Sequence, residues 1–137
     1  MTTLVKVNLQ EVSVEKEDIS FLEEAYIGGV GVNTRLLLDL APPGCDPLSQ
    51  ENPLIFGVGP LVGTMLPTAS RCEVTTKSPL TYRFGTANGG GYFGPALRYA
   101  GVDYLLFLGV STTPVFVLID NGEVSLKDAS HLWGKDA

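Results

Sequence analysis

The sequence predicts an α+β fold of mixed β-sheets with a few short helices. Three observations carry that expectation. About seven segments alternate or cluster β-branched and aromatic residues, only three short segments recur at helical spacing, and the two types do not alternate as a βαβ fold requires. At 137 residues the chain fits a single domain over residues 1–137, large enough for a real core.

Leu4–Leu9 alternates apolar and polar residues and reads as a half-buried strand, followed by a shorter extended piece at Val12–Val14. Asp18 stands where a helix cap would, ahead of Phe21, Leu22, Ala25 and Tyr26 at helical spacing. Gly28, Gly29 and Gly31 interrupt that helix. A second begins near Val32 or Asn33, carries Leu36, Leu37 and Leu40, and stops at Pro42 and Pro43. Residues 42–53 are loop by their prolines, Gly44 and polar content. Leu54–Val58 reads as a buried strand. An irregular stretch over 59–70 then leads into strands near Cys72–Thr76 and Tyr82–Thr86.

Asn88-Gly89-Gly90-Gly91 reads as a loop before a short helix from Gly94 to Ala100. Pro95 is tolerated in its first turn and Gly101 supplies the stop. Tyr104–Leu108 and Pro114–Ile119 are strongly β-prone. Asn121-Gly122 is a two-residue hairpin signal between Val115–Ile119 and Glu123–Leu126. Asp128 or Ser130 looks like the cap of a further helix, yet the sequence halts at Ala137. So short a helix is marginal with nothing to pack on, which reads as a domain cut short.

Composition narrows the function classes. The net charge is −6, with residues 1–51 at −6, residues 52–102 at +3 and residues 103–137 at −3. An acidic chain is a poor partner for nucleic acid, whereas a local cationic centre between acidic flanks suits a small anion, or is ordinary scatter of surface charge. No apolar stretch approaches the roughly 18 residues of a spanning helix, so no membrane partner is expected. The first ten residues lack the layout of a secretory signal. Cys45 and Cys72 have no CxxC spacing and read as free thiols of a reduced compartment, with the cytoplasm as the default location.

Pro67–Gly94 holds the chemistry. Arg71 opens a strand after a run of small residues, and a guanidinium suits bidentate contact with phosphate at any working pH. The glycines after Asn88 forfeit backbone entropy unless a tight strand-to-helix turn or a ligand requires them. Bare N–H groups beside a fixed cation can cradle an anion. Gly57, Gly59 and Gly63 give a GxGxxxG spacing with a poor helix start behind it, so a glycine-rich turn is the better reading than a dinucleotide site. His131 has no ligand-spaced partners and takes a structural or surface role. Trp133 is expected to pack a core, and no Ser–His–Asp arrangement is supported.

The segments DPLSQENPLIFGVGPLVGT, TTKSPLT, ANGGGYFGPALRYAG and DASHLWGK, in that order over essentially the whole chain, resemble the N-terminal domain of the tungsten-containing aldehyde:ferredoxin oxidoreductase family. That resemblance implies an incomplete N-terminal domain serving as the base for tungstopterin, a bis-molybdopterin cofactor carrying tungsten or molybdenum. It implies that Arg71 bridges the pterin and a nearby 4Fe-4S iron–sulfur cluster. It implies further that Asn88 offers its backbone carbonyl to a magnesium ion (Mg2+) joining the pterin phosphates. Gly89 and Gly90 would then lie against the cofactor, with Gly90 giving it a backbone N–H. Lys77 and Ser78 are expected to support the site from beneath.

The activity implied is oxidation of a small-molecule aldehyde to a carboxylic acid, with ferredoxin as electron acceptor. The remainder of the enzyme would be the structural partner, and a homodimer is compatible. No catalytic residue is expected in this chain, which alone should be inactive, and neither Cys45 nor Cys72 matches a cluster ligand. Two departures stand out: Val30 replaces the arginine of a frequent Gly-Gly-Arg-Gly, and family members are far longer. The alternatives are a stand-alone binding or assembly module, an inactive remnant, or a relative that reduces carboxylates or aromatic thioesters.

Overall fold

The computed structural model describes residues 1–136. Its elements are β1 (Thr3–Asn8), β2 (Ser13–Asp18), α1 (Ser20–Tyr26), α2 (Val30–Leu40), β3 (Leu54–Val58), β4 (Cys72–Lys77), β5 (Phe84–Gly89), α3 (Phe93–Tyr99), β6 (Tyr104–Leu108), β7 (Val115–Asp120) and β8 (Glu123–Asp128). Six strands form one sheet in the order β2-β1-β6-β3-β4-β5, and β7 and β8 form a separate hairpin. β1 and β6 pair in parallel, and every other neighbouring pair is antiparallel. The α+β expectation holds.

Period-two alternation sorts side chains to the two faces of the sheet. Leu4, Ile55, Tyr104 and Leu106 meet Leu22 of α1 and Val32, Leu36 and Leu37 of α2 on one face. Val5, Val7, Val58 and Leu105 meet Leu97 of α3 on the other, where Val117, Ile119, Val124 and Leu126 of the hairpin pack against them. Leu4, Ile55 and Leu106 are fully buried, each stabilising the fold by about 1.5–3 kcal/mol relative to exposure.

Four local expectations change. The piece at Val12–Val14 is a full strand, because β1 pairs with it from Asn8↔Ser13 to Thr3↔Asp18. Asp18 is therefore the last strand residue and not the helix cap, a position held by Ile19. Its carboxylate nonetheless accepts the Ser20 hydroxyl (2.5 Å), the Ser20 N–H (3.0 Å) and the Thr2 N–H (3.2 Å), which hold its pKa below the usual value. The expected terminal helix is only a turn over residues 130–134, with Leu132 and Trp133 N–H groups donating to the Ala129 carbonyl. Asp128 does accept the Ser130 hydroxyl at 2.6 Å, as a cap would, but no further helical turn follows. Trp133 is 78% exposed and packs no core.

Candidate functional site

The site is assembled around the start of β4. Residues 71, 73 and 75 share one face of that strand by alternation. Thr75 is fully buried beneath α2, where Asn33 Nδ2 donates to Thr75 Oγ1 (3.2 Å), the Glu73 carbonyl (3.2 Å) and the Ile55 carbonyl (3.4 Å). This amide fastens α2 to both β3 and β4. Gly57 makes the approach possible, since a Cβ there would lie 2.3 Å from Asn33 Oδ1 and 2.6 Å from the Tyr104 ring. With Thr75 directed at α2, Arg71 and Glu73 emerge on the same side, past the N-terminus of the helix. Together with Gly29, Val30, Pro60 and Leu61 they line a cavity of about 430 Å³.

α3 fixes the loops on either side. Gly94 sits where a Cβ would be 2.7 Å from the Ser70 carbonyl, so only glycine lets the first turn close on the backbone of residues 70–71. Arg98 Nη1 donates to the Gly59 carbonyl at 2.9 Å, and its Nε lies 3.7 Å from Asp103. The Tyr99 hydroxyl donates to the Gly63 carbonyl at 2.9 Å.

β5 brings the remaining residues alongside. Register places Asn88 opposite Glu73 and Gly89 opposite Cys72. The Arg71 Nη1 donates to Asn88 Oδ1 across this pair. The expected loop therefore starts at Gly90, because cross-strand pairing draws Asn88 and Gly89 into the strand. Gly91 takes φ +85°, so the turn requires it. Gly89 and Gly90 are different. A Cβ on either would meet no atom within 4 Å, so nothing within the chain demands a glycine there. Arg71, Asn88, Gly89 and Gly90 are all exposed, and among the described residues no carboxylate pairs with Arg71.

The other bases of the central segment do not converge on this place. Lys77 stands at the far end of β4, about 20 Å along the strand, where its Nζ donates to the Cys45 carbonyl at 2.5 Å. Ser78 Oγ accepts the N–H groups of Leu80 (3.3 Å) and Thr81 (3.4 Å) and so shapes a turn. Lys77 and Ser78, expected to support the site, make these local contacts away from Arg71. Arg98 is taken up by Gly59 and Asp103.

Sequence reasoning missed three anchors: Asn33, Gly94 and Asn52. Asn52 acts as a surrogate strand for Lys77, accepting its N–H at 3.1 Å and donating to its carbonyl at 3.0 Å. Gly94 was legible as the second glycine of a Gly-Tyr-Phe-Gly run, whereas nothing local marks Asn33 or Asn52. Burial pushes the Cys72 thiol pKa up, which makes it a poor nucleophile or ligand. Among the described residues no three His, Cys, Asp or Glu gather to hold a metal.

The arrangement fits a ligand bearing several anionic oxygens: a fixed cation, a neutral amide holding it, and backbone with free space above it. The Asn88 carbonyl adds a hard oxygen donor of the kind Mg2+ accepts.

Comparison with known proteins finds a family model, curated relatives and a solved structure similar to this chain. The family model for the aldehyde ferredoxin oxidoreductase N-terminal domain matches residues 4–137. The tungsten-containing aldehyde ferredoxin oxidoreductase of Pyrococcus furiosus is 44% identical over 133 residues, 96% of this chain and 22% of that protein. The enzyme of the same name from Thermococcus kodakarensis is 44% identical over 132 residues, with the same coverage of both chains. Among solved structures, a chain of the active-site complex BamBC of benzoyl coenzyme A reductase superposes with a TM-score of 0.93 at 39% identity, covering 96% of this chain and 20% of that one. The chain thus spans about a fifth of the length of the relatives it matches.

Proposed function

Because the chain belongs to the aldehyde ferredoxin oxidoreductase family through its N-terminal domain, we propose that it is the cofactor-bearing base of a longer tungsten oxidoreductase. The observation that carries this reading is the exposed Arg71, which among the described residues has no carboxylate partner, standing beside glycine backbone that has open space over it. Arg71 would offer a permanent positive charge to the anionic oxygens of the cofactor and to an iron–sulfur group. Gly89 and Gly90 let backbone approach the same ligand without a Cβ in the way. The Asn88 carbonyl would complete the shell of a Mg2+ ion between phosphates. When bound, the tungstopterin and a 4Fe-4S cluster supply the two-electron oxidation of an aldehyde and the electron exit to ferredoxin. None of the chain's own residues acts as acid, base or nucleophile. Their work is to bind, orient and neutralise charge.

The test is Arg71→Ala in the full-length protein, read by elemental analysis for tungsten and molybdenum. Loss of a charge-assisted contact worth about 1.5–3 kcal/mol predicts at least about a tenfold weaker hold on the cofactor. Unchanged metal content in a normally folded variant would overturn the reading. The same assay on wild type, with the two metals supplied in competition, assigns the metal.

A second reading keeps the site and changes the reaction. The superposition on a benzoyl coenzyme A reductase chain favours reduction of an aromatic thioester as the alternative. Aldehyde-dependent reduction of ferredoxin by the holoenzyme separates the two. No helix among the described residues is long and apolar enough to cross a membrane.

A further inference from the structure

We propose that the Asn88 side chain is a positioning residue for Arg71, holding the guanidinium toward the cofactor without cancelling its charge. This rests on the reading above but concerns an atom that reading leaves idle. The Mg2+ role belongs to the Asn88 backbone carbonyl, which any residue would supply, so it does not explain an asparagine at this position.

The geometry does. Arg71 lies immediately before β4, where the flanking loop leaves it exposed, and a long side chain there loses much rotamer freedom when it is fixed. Its partner among the described residues is Asn88 Oδ1, delivered by the neighbouring strand in a fixed register. Glu73, two residues along and on the same face, is the nearest acid in sequence that could have captured the guanidinium. It is instead engaged as acceptor for Thr86 Oγ1 at 3.4 Å. The charge of Arg71 is thus oriented by a neutral amide. An acid at 88 would form an ion pair and remove the charge that the ligand needs.

The experiment uses the full-length holoenzyme, with tungsten content after dialysis as the readout and thermal unfolding as the check on folding. Asn88→Ala is expected to lower retained tungsten several-fold while keeping the backbone carbonyl. Asn88→Asp, almost the same shape, is expected to lose at least as much, although a purely structural role would make it the milder change. In an Arg71→Ala background, Asn88→Ala should cause no further loss. Full retention in Asn88→Ala or Asn88→Asp, or an undiminished additional loss in the Arg71→Ala background, would overturn the inference and leave the proposed function standing. Full retention in Arg71→Ala alone would overturn both.

Discussion

Tyr104 shows how much one side chain can hold in place. It is fully buried, and its hydroxyl accepts the Gly29 N–H at 3.0 Å, just where α2 begins beside the cavity. Burial pushes its pKa well up, because ionisation would place a charge in the core. Above about pH 10 the unfolded chain releases this proton while the folded chain keeps it, so stability falls as pH rises. Urea unfolding from about pH 9 to 11 should show that loss. Tyr104→Phe should cost about 1 kcal/mol at neutral pH yet flatten the alkaline decline. The cost stays small because the Gly29 N–H also donates to the Val58 carbonyl at 3.2 Å. Nothing in the sequence separates Tyr104 from the four other tyrosines, since its role depends on a contact 75 residues away. Arg71 was easier to find, because a lone cation after a run of small residues is a local pattern.

At the scale of elements, α2 and β4 meet through Asn33, Thr75 and Gly57. Gly57→Ala should destabilise by about 1–3 kcal/mol, because the added methyl meets the Asn33 amide and the Tyr104 ring together. Chemical denaturation measures it directly. The same substitution should shift α2 relative to β4 and so disturb the cavity beside Arg71, visible as altered chemical shifts for Val30 and Glu73. Strands β3 and β6 matched their sequence limits because unbroken apolar runs define both ends. β5 ran three residues beyond its expected end, since pairing with β4 outweighs the weak strand propensity of Asn88 and Gly89. The helix expected after Asp128 failed for the opposite reason: its cap is present, but no surface receives Leu132 or Trp133, which are 49% and 78% exposed.

For the whole molecule, family and α+β class were legible because ordered motifs cover the chain, while the convergence of site residues was legible only in part. Net charge over residues 52–102 left open either one cationic centre or ordinary scatter of surface charge. The fold separates those bases, with Lys77 at the far end of β4 and Arg98 on α3, and leaves Arg71 at the cavity. A single wall of this kind cannot enclose a large anionic cofactor. The 137-residue chain purified by itself should therefore carry no tungsten and should not reduce a dye with aldehyde, as elemental analysis and a spectrophotometric assay would show. Stoichiometric tungsten on the isolated chain would contradict that expectation.

The parallel pairing of β1 with β6 has a consequence for how the chain comes together in time. Thr3 exchanges hydrogen bonds with Asp103, donating to its carboxylate at 2.8 Å and accepting its N–H at 3.0 Å, across 100 residues. The β3–β4–β5 meander that bears Arg71 and Asn88 closes over far shorter loops. Loop-closure entropy therefore orders the events: the meander can pair as it leaves the ribosome, while β1 and β2 wait as an isolated hairpin until β6 arrives. The strands that bear Arg71 and Asn88 are then an early product of synthesis, and the centre of the sheet is a late one.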